Sequence, residues 1–218
     1  MKDADIRAVV RILRRVTKGM LSPYVTRLAY NTHDPFMILI STILSLRTKD
    51  AVTEDASQRL FALADTPQEM LRLSPQEIEK AIRPVLYYGV KTQNILKICR
   101  ILIEQYDGHV PPDLDKLDEL PGVGRKTANL VVTLGFNKPG ICVDTHVHRI
   151  TNRWGYVNTK TPDETEMALR AKLPKEYWIE INRKMVAFGQ NLCLPISPLC
   201  STCPLLKYCA RVGVTHSR

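Results

Sequence analysis

The chain has 218 residues, 44% of them hydrophobic and 24% charged, and its Lys and Arg outnumber Asp and Glu by 31 to 22 for a formal charge of +9. These proportions exclude a disordered tail, a collagen and a membrane bundle, and the longest apolar stretch, Pro35 to Leu44, is too short and too interrupted by hydroxyls to span a bilayer. The first residues, MKDADIRAVVRILRRVTKG, mix both charges through their apolar positions and form no signal-peptide core, so a cytoplasmic location is expected, and the basic excess favours a polyanionic partner such as nucleic acid.

In chain order the sequence reads as helix after helix, without a run of apolar/polar alternation long enough for a sheet, and the expected fold class is all-α. Ile6, Val9, Val10, Leu13 and Val16 make one face of a first helix, and Arg7, Arg11, Arg14 and Lys18 line a solvated opposite face. Asp34-Pro35 opens a buried helix running through Ser45. Thr66-Pro67 and Ser74-Pro75 each supply an N-cap with proline at the first helical position. A further segment runs from about Lys91 to Tyr106 and stops at Asp107-Gly108; a short helix covers Leu114 to Leu120; and the strongest later break is Gly135 to Gly140.

Leu120-Pro121-Gly122-Val123-Gly124-Arg125-Lys126-Thr127-Ala128-Asn129 sets two glycines between a short helix and a longer apolar one. Glycine at both positions permits positive φ and close approach of another chain, and the second helix begins with free N–H groups and the positive end of its dipole, where a phosphate binds. The segment resembles a helix-hairpin-helix element that grips a DNA backbone without reading sequence. An ordinary helix–helix turn has the same local pattern. Lys126, beside Arg125 in the first turn, suits a nucleophile, a phosphate contact or a solvated lysine. After the Gly135 to Gly140 break, Val143-Asp144-Thr145-His146 starts a new helix through Arg149 and Trp154; Asp144 suits an N-cap or a carboxylate that assists a lysine and steadies positive charge on a sugar. His146 and His148 are two residues apart and point to different helix faces, which makes them poor joint metal ligands.

Cys193, Cys200, Cys203 and Cys209 give the spacing C-x6-C-x2-C-x5-C, with Pro195, Pro198 and Pro204 interleaved. In a reducing compartment such a set points to metal rather than disulfides. Zinc sites more often pair two C-x2-C knuckles, and four thiolates also suit a [4Fe-4S] cluster, so spacing alone leaves both open. Cys99 and Cys142 sit among apolar residues and read as small core side chains.

The three motifs in this order, LPGVGRKTAN, VDTHVHR and the four cysteines, resemble the endonuclease III family of helix-hairpin-helix DNA glycosylases across nearly the whole chain. The resemblance implies two helical domains with a DNA-binding cleft between them. One would be a six-helix barrel over residues 28–138, with its helix-hairpin-helix at about 114–134, and the other a discontinuous cluster domain of residues 1–27 and 139–218. It implies a monomeric DNA glycosylase and AP lyase of base excision repair, acting on duplex DNA with damaged bases or abasic sites. Oxidised pyrimidines would be removed through a Schiff base on a lysine, with cleavage 3′ to the abasic site by β-elimination. Carried over position by position, Lys126 matches the nucleophile, Asp144 its partner carboxylate, and Cys193, Cys200, Cys203 and Cys209 the ligands of a [4Fe-4S] cluster. Gly122, Val123, Gly124 and Arg125 would contact DNA. Three departures stand out. Arg47 occupies the place of a glutamine that fills the gap left by the flipped base, Tyr87 occupies that of an inserting leucine, and Leu194 to Leu199 carries no Lys or Arg where relatives are often basic. A monofunctional adenine or mismatch-thymine glycosylase is the nearest rival, and such enzymes usually lack a lysine at the Lys126 position; a non-catalytic DNA-binding module is a rival of another class.

Overall fold

Several helices begin where the chain supplies its own cap, and these starts set the architecture. The computed structural model describes residues 1–218 and contains twelve α-helices and no strand. They are α1 (Ile6–Val16), α2 (Tyr24–Thr32), α3 (Pro35–Ser45), α4 (Asp50–Phe61), α5 (Pro67–Met70), α6 (Pro75–Ile82), α7 (Tyr88–Tyr106), α8 (Leu114–Asp118), α9 (Arg125–Phe136), α10 (Thr145–Arg153), α11 (Pro162–Lys172) and α12 (Trp178–Asn191). Asp34 accepts the Phe36 and Met37 N–H groups at the head of α3, and Ser74 and Glu77 form a reciprocal capping box at α6. The expected short helix after residue 114 ends at Asp118, and the segment expected from Lys91 starts three residues earlier at Tyr88.

The chain divides into two compact units, Pro23–Lys138 and a discontinuous one of Met1–Ser22 with Pro139–Arg218. In the first, α3 is almost entirely buried: Ile38, Leu39, Ile40 and Leu44 are inaccessible, and α2, α4, α7 and α9 pack against it. An apolar helix buried on all sides forms a core rather than an amphipathic face. Cys99 lies in this core. In the second unit Ile6, Val9, Val10 and Leu13 of α1 pack with Val147 and Ile150 of α10 and Ile181, Met185 and Phe188 of α12. The amino-terminal ammonium donates to the Trp154 carbonyl at 3.0 Å, which fastens the first residues to the later ones. Arg7, Arg11, Arg14 and Lys18 are exposed, as the amphipathic pattern requires, and Arg14 pairs with Glu180 of α12. No helix is long and apolar enough to cross a membrane.

Candidate active site and cysteine centre

The hairpin is built from α8, a turn through Leu120 to Gly124, and α9. Leu120, Val123 and Ala128 are buried and anchor both sides of the turn in the core. Gly122 has φ +76°, a conformation that other residues rarely adopt, and a Cβ there would press on the Asn94 side-chain amide, so this position requires glycine chiefly on conformational grounds. Gly124 differs from the sequence expectation. Its φ of −115° and ψ of 176° are extended backbone open to any residue, and a Cβ would meet nothing within 4 Å. No protein contact demands a glycine at Gly124, and the space in front of it is empty.

Gly124 is the N-cap of α9 and has no side chain to cap it, so the first N–H groups of α9 receive no side-chain cap and sit at the positive end of the helix dipole. Lys126 is the second residue of α9 and is exposed. Behind it, the buried Asn129 donates from Nδ2 to the Arg125 carbonyl at 3.0 Å, which stiffens the first turn.

Asp144 belongs to the other unit. It caps α10, accepting the His146 and Val147 N–H groups at 2.9 Å each. Both bonds end on Oδ1, which leaves Oδ2 outside the cap, and the carboxylate is half-buried. His146 and His148 face different partners. His146 Nδ1 lies 3.1 Å from the Arg149 guanidinium, and His148 Nδ1 lies 2.7 Å from the Thr165 hydroxyl.

Arg47 and Tyr87 occupy the turns after α3 and before α7. Both are exposed, and both are non-glycine residues in the left-handed region, at φ +56° and +58°. A side chain held there is strained unless its surroundings fix it.

Cys193, Cys200, Cys203 and Cys209 are free thiols and line one cavity of about 20 Å³. Its walls are largely apolar, with Trp154, Phe188, Leu192, Leu199 and Val214. Arg153 donates to Cys193 Sγ at 3.4 Å and to the Leu194 and Pro195 carbonyls at 2.6 Å each, and the Arg211 N–H reaches Cys209 Sγ at 3.4 Å. Burial pushes the Cys203 and Cys209 thiols up, so these sulfurs need a positive centre to ionise. No three Cys, His, Asp or Glu side chains are gathered as they would be around a single metal ion. Four thiols share one mostly apolar cavity with a guanidinium on its wall, a donor set suited to a group held by thiolates.

Residues 40–175 match the model of the HhH-GPD superfamily of base excision DNA repair proteins. Endonuclease III of Thermotoga maritima is 51% identical over 176 residues, covering 81% of this chain and 83% of that protein. Endonuclease III of Escherichia coli K12 is 36% identical over 179 residues, covering 82% and 85%. This chain belongs to the endonuclease III family. A solved trapped covalent intermediate of endonuclease III with DNA, an estranged-adenine complex, superposes with a TM-score of 0.87 at 36% identity over 97% of both chains. A thermostable thymine-DNA glycosylase shares the fold, with a TM-score of 0.74 at 24% identity. The chain is therefore a helix-hairpin-helix enzyme of base excision repair, as its motifs imply, and its family name is consistent with an iron–sulfur cofactor.

The sequence reading missed two buried cations that the structure brings to these sites. Arg153 closes the cysteine loop, and Lys91 lies beneath the Arg47 turn. Neither stands in a recognisable motif. The one signal is a long cation at a position where its helix turns inward, which an isolated sequence does not distinguish from a surface residue.

Proposed function

We propose that this endonuclease III family member is bifunctional, binding duplex DNA that contains damaged bases or abasic sites, excising oxidised pyrimidines and cutting 3′ to the abasic site. The observation that carries this reading is the pairing of an exposed primary amine, Lys126, with the uncapped, sterically open start of α9 at Gly124. The α9 N–H groups and the Gly122–Gly124 main chain receive a backbone phosphate, with Arg125 adding charge. The target nucleotide leaves the stack, and Arg47 and Tyr87 fill the gap, Arg47 by hydrogen bonding and Tyr87 by stacking.

Lys126, once it has lost a proton, directs its nitrogen lone pair at C1′. The C1′–N bond breaks, and the departing base receives, by way of Asp144, the proton that the attacking amine gives up. Asp144, through the oxygen its helix cap leaves unused, takes the proton from the attacking amine and steadies positive charge on the sugar. Ring opening with protonation of O4′ gives an iminium. Loss of a C2′ proton expels the 3′ phosphate, and water releases Lys126. An activated water forms no iminium, which is why strand cleavage requires the amine. A trapped covalent intermediate with DNA is recorded for a structural relative, which supports covalent chemistry in this one.

Cys193, Cys200, Cys203 and Cys209 would hold a [4Fe-4S] cluster, which as a ligated group supplies folding free energy to the segment that binds it. The endonuclease III family name favours a cluster over zinc. The enzyme would act as a cytoplasmic monomer, associated with the nucleoid in a prokaryote.

Borohydride reduction on a duplex containing an oxidised pyrimidine tests the reading. The native protein should form a covalent adduct and cut the strand, and Lys126→Ala should do neither while still binding abasic-analogue duplex. Adduct formation by Lys126→Ala would remove the nucleophile assignment, and base release without any adduct in the native protein would make the enzyme monofunctional.

A further inference from the structure

Lys91 is buried, with only 6% of its surface reaching solvent, and its three side-chain hydrogen bonds all run to neutral oxygens. Its ammonium donates to the Leu44 carbonyl at 2.8 Å, the Leu46 carbonyl at 2.7 Å and the Thr48 hydroxyl at 3.3 Å. Two of these acceptors belong to the residues immediately before and after Arg47. The first caps the carboxyl end of α3, where unpaired carbonyls and the negative end of the dipole favour a cation. The Lys91 main-chain N–H donates to the Tyr87 carbonyl at 3.0 Å, the first helical bond of α7.

One residue is thus bonded to both neighbours of Arg47 and to Tyr87 itself. Arg47 and Tyr87 are also the two exposed residues whose turns are held at positive φ beside these bonds, a conformation that lasts only where the surroundings over-determine it. A buried cation is a costly means of holding a helix end, because desolvation opposes the charge. Burial accordingly pulls the Lys91 amine down to about 8, close enough to neutral pH for the ammonium to persist there. The arrangement spends that cost on one turn, and that turn presents Arg47.

We propose that Lys91 is the positioning residue that locks the Arg47 and Tyr87 turns into a single preset wedge for the gap left by the extruded nucleotide. The proposal rests on the reading that these two side chains fill that gap. Lys91 does not touch DNA. It removes the ordering that two separate mobile turns would otherwise undergo when the duplex opens, so the wedge enters already formed.

The test uses full-length protein and a duplex carrying 2-aminopurine opposite a tetrahydrofuran abasic analogue, with excision rates measured on a matching duplex that contains an oxidised pyrimidine. Lys91→Met keeps most of the buried stem and removes all three ammonium bonds. It should lose the change in 2-aminopurine fluorescence on binding and slow excision on the order of ten- to a hundredfold, the scale of an ångström-sized misplacement. Binding to undamaged duplex should be unchanged, and Lys91→Arg should restore part of the signal. In an Arg47→Ala/Tyr87→Ala background Lys91→Met should add nothing, because the group it positions is already gone. A Lys91→Met protein with native fluorescence and rate, or one that deepens the defect of the double-alanine protein, overturns the proposal. Silent Arg47→Ala and Tyr87→Ala variants instead overturn the gap-filling reading, and the role of Lys91 falls with it. Should Lys91→Met fail to fold, Thr48→Val removes one of the three bonds and should lower the fluorescence change by a measurable fraction; a native signal there counts against the proposal.

Discussion

An aspartate that caps a helix and an aspartate that handles protons respond differently to replacement, and Asp144 is held so that the two can be separated. Asparagine is as good an N-cap as aspartate, and its side-chain oxygen can take the Oδ1 place toward the His146 and Val147 N–H groups. Asp144→Asn should therefore unfold within a few tenths of a kcal/mol of the native protein in urea, while releasing base orders of magnitude more slowly, because a neutral amide neither accepts a proton nor steadies a cation. Asp144→Ala should lose the cap as well, at a cost of about 1 kcal/mol. Native-like base release by Asp144→Asn would reduce this residue to its cap. At this scale the sequence was informative where a residue type and its neighbours suffice. Asp144 at the start of a helix, Cys99 in the core and glycine at Gly122 follow from the sequence, and the structure agrees. The extended backbone of Gly124 was not legible, because the same letter serves a turn and a close approach. Nor was the burial of Lys91, whose three acceptors come from residues more than forty positions away.

Helices that carry their own start signal were legible, and those capped from elsewhere were not. Asp34-Pro35, Thr66-Pro67 and Ser74-Pro75 announce α3, α5 and α6 with side-chain caps a few residues from the N–H groups they bind. The head of α2 has no local cap; the Tyr24 N–H is received by the Asp50 carboxylate, 26 positions away at the start of α4, at 2.9 and 3.0 Å. No reading of residues 20 to 32 contains that bond. Thr161-Pro162 shows that the local signal extends further than the elements read from it, because Thr161 caps α11 by the same device. The start of α9 is the reverse case, a helix head left uncapped, and its consequence is measurable. Gly124→Val adds a Cβ with nothing within 4 Å of it, on a backbone that valine adopts readily. Thermal unfolding should shift by no more than a few degrees, the size expected for a surface change in a domain of this length. Affinity for abasic-analogue duplex should fall at least tenfold, because a phosphate can no longer approach the α9 N–H groups. Gly122→Ala should instead destabilise the fold, since its φ of +76° and the Asn94 side chain both oppose a Cβ. Unfolding and binding lost together in Gly124→Val would return that glycine to a simple turn role.

Across the whole molecule, the unit that carries Asp144 is assembled from both ends of the chain, an arrangement that periodicity alone does not reveal. Its last segment is the least self-sufficient part of the protein. Between Cys193 and Arg218 only Pro198 and Leu205 are fully buried; Cys193, Cys203, Tyr208 and Cys209 pack half-buried against the core, and polar attachments add to them: the Arg153 guanidinium on the Leu194 and Pro195 carbonyls, the Val212 N–H on the Arg153 carbonyl, and the Arg218 N–H on the Pro198 carbonyl. Fully burying one side chain contributes about 1.5–3 kcal/mol, and fixing one backbone residue costs roughly 1–2 kcal/mol, so these few fully and half-buried residues do not order a segment of this length. Ligation by four cysteines supplies the difference if they hold the proposed cluster, since metal-binding free energy is folding free energy in such a site. Purified protein should then be yellow-brown and contain iron and sulfide with little zinc. Cys203→Ser should lose the colour and become sensitive to protease between Cys193 and Arg218, while Pro23–Lys138 keeps its own core and stays resistant. Lys126 is intact in that variant, so any fall in base excision reports on the unit that carries Asp144. A colourless Cys203→Ser protein with a protease-resistant tail, or stoichiometric zinc in protein prepared without oxygen, would assign the four thiols to a different role.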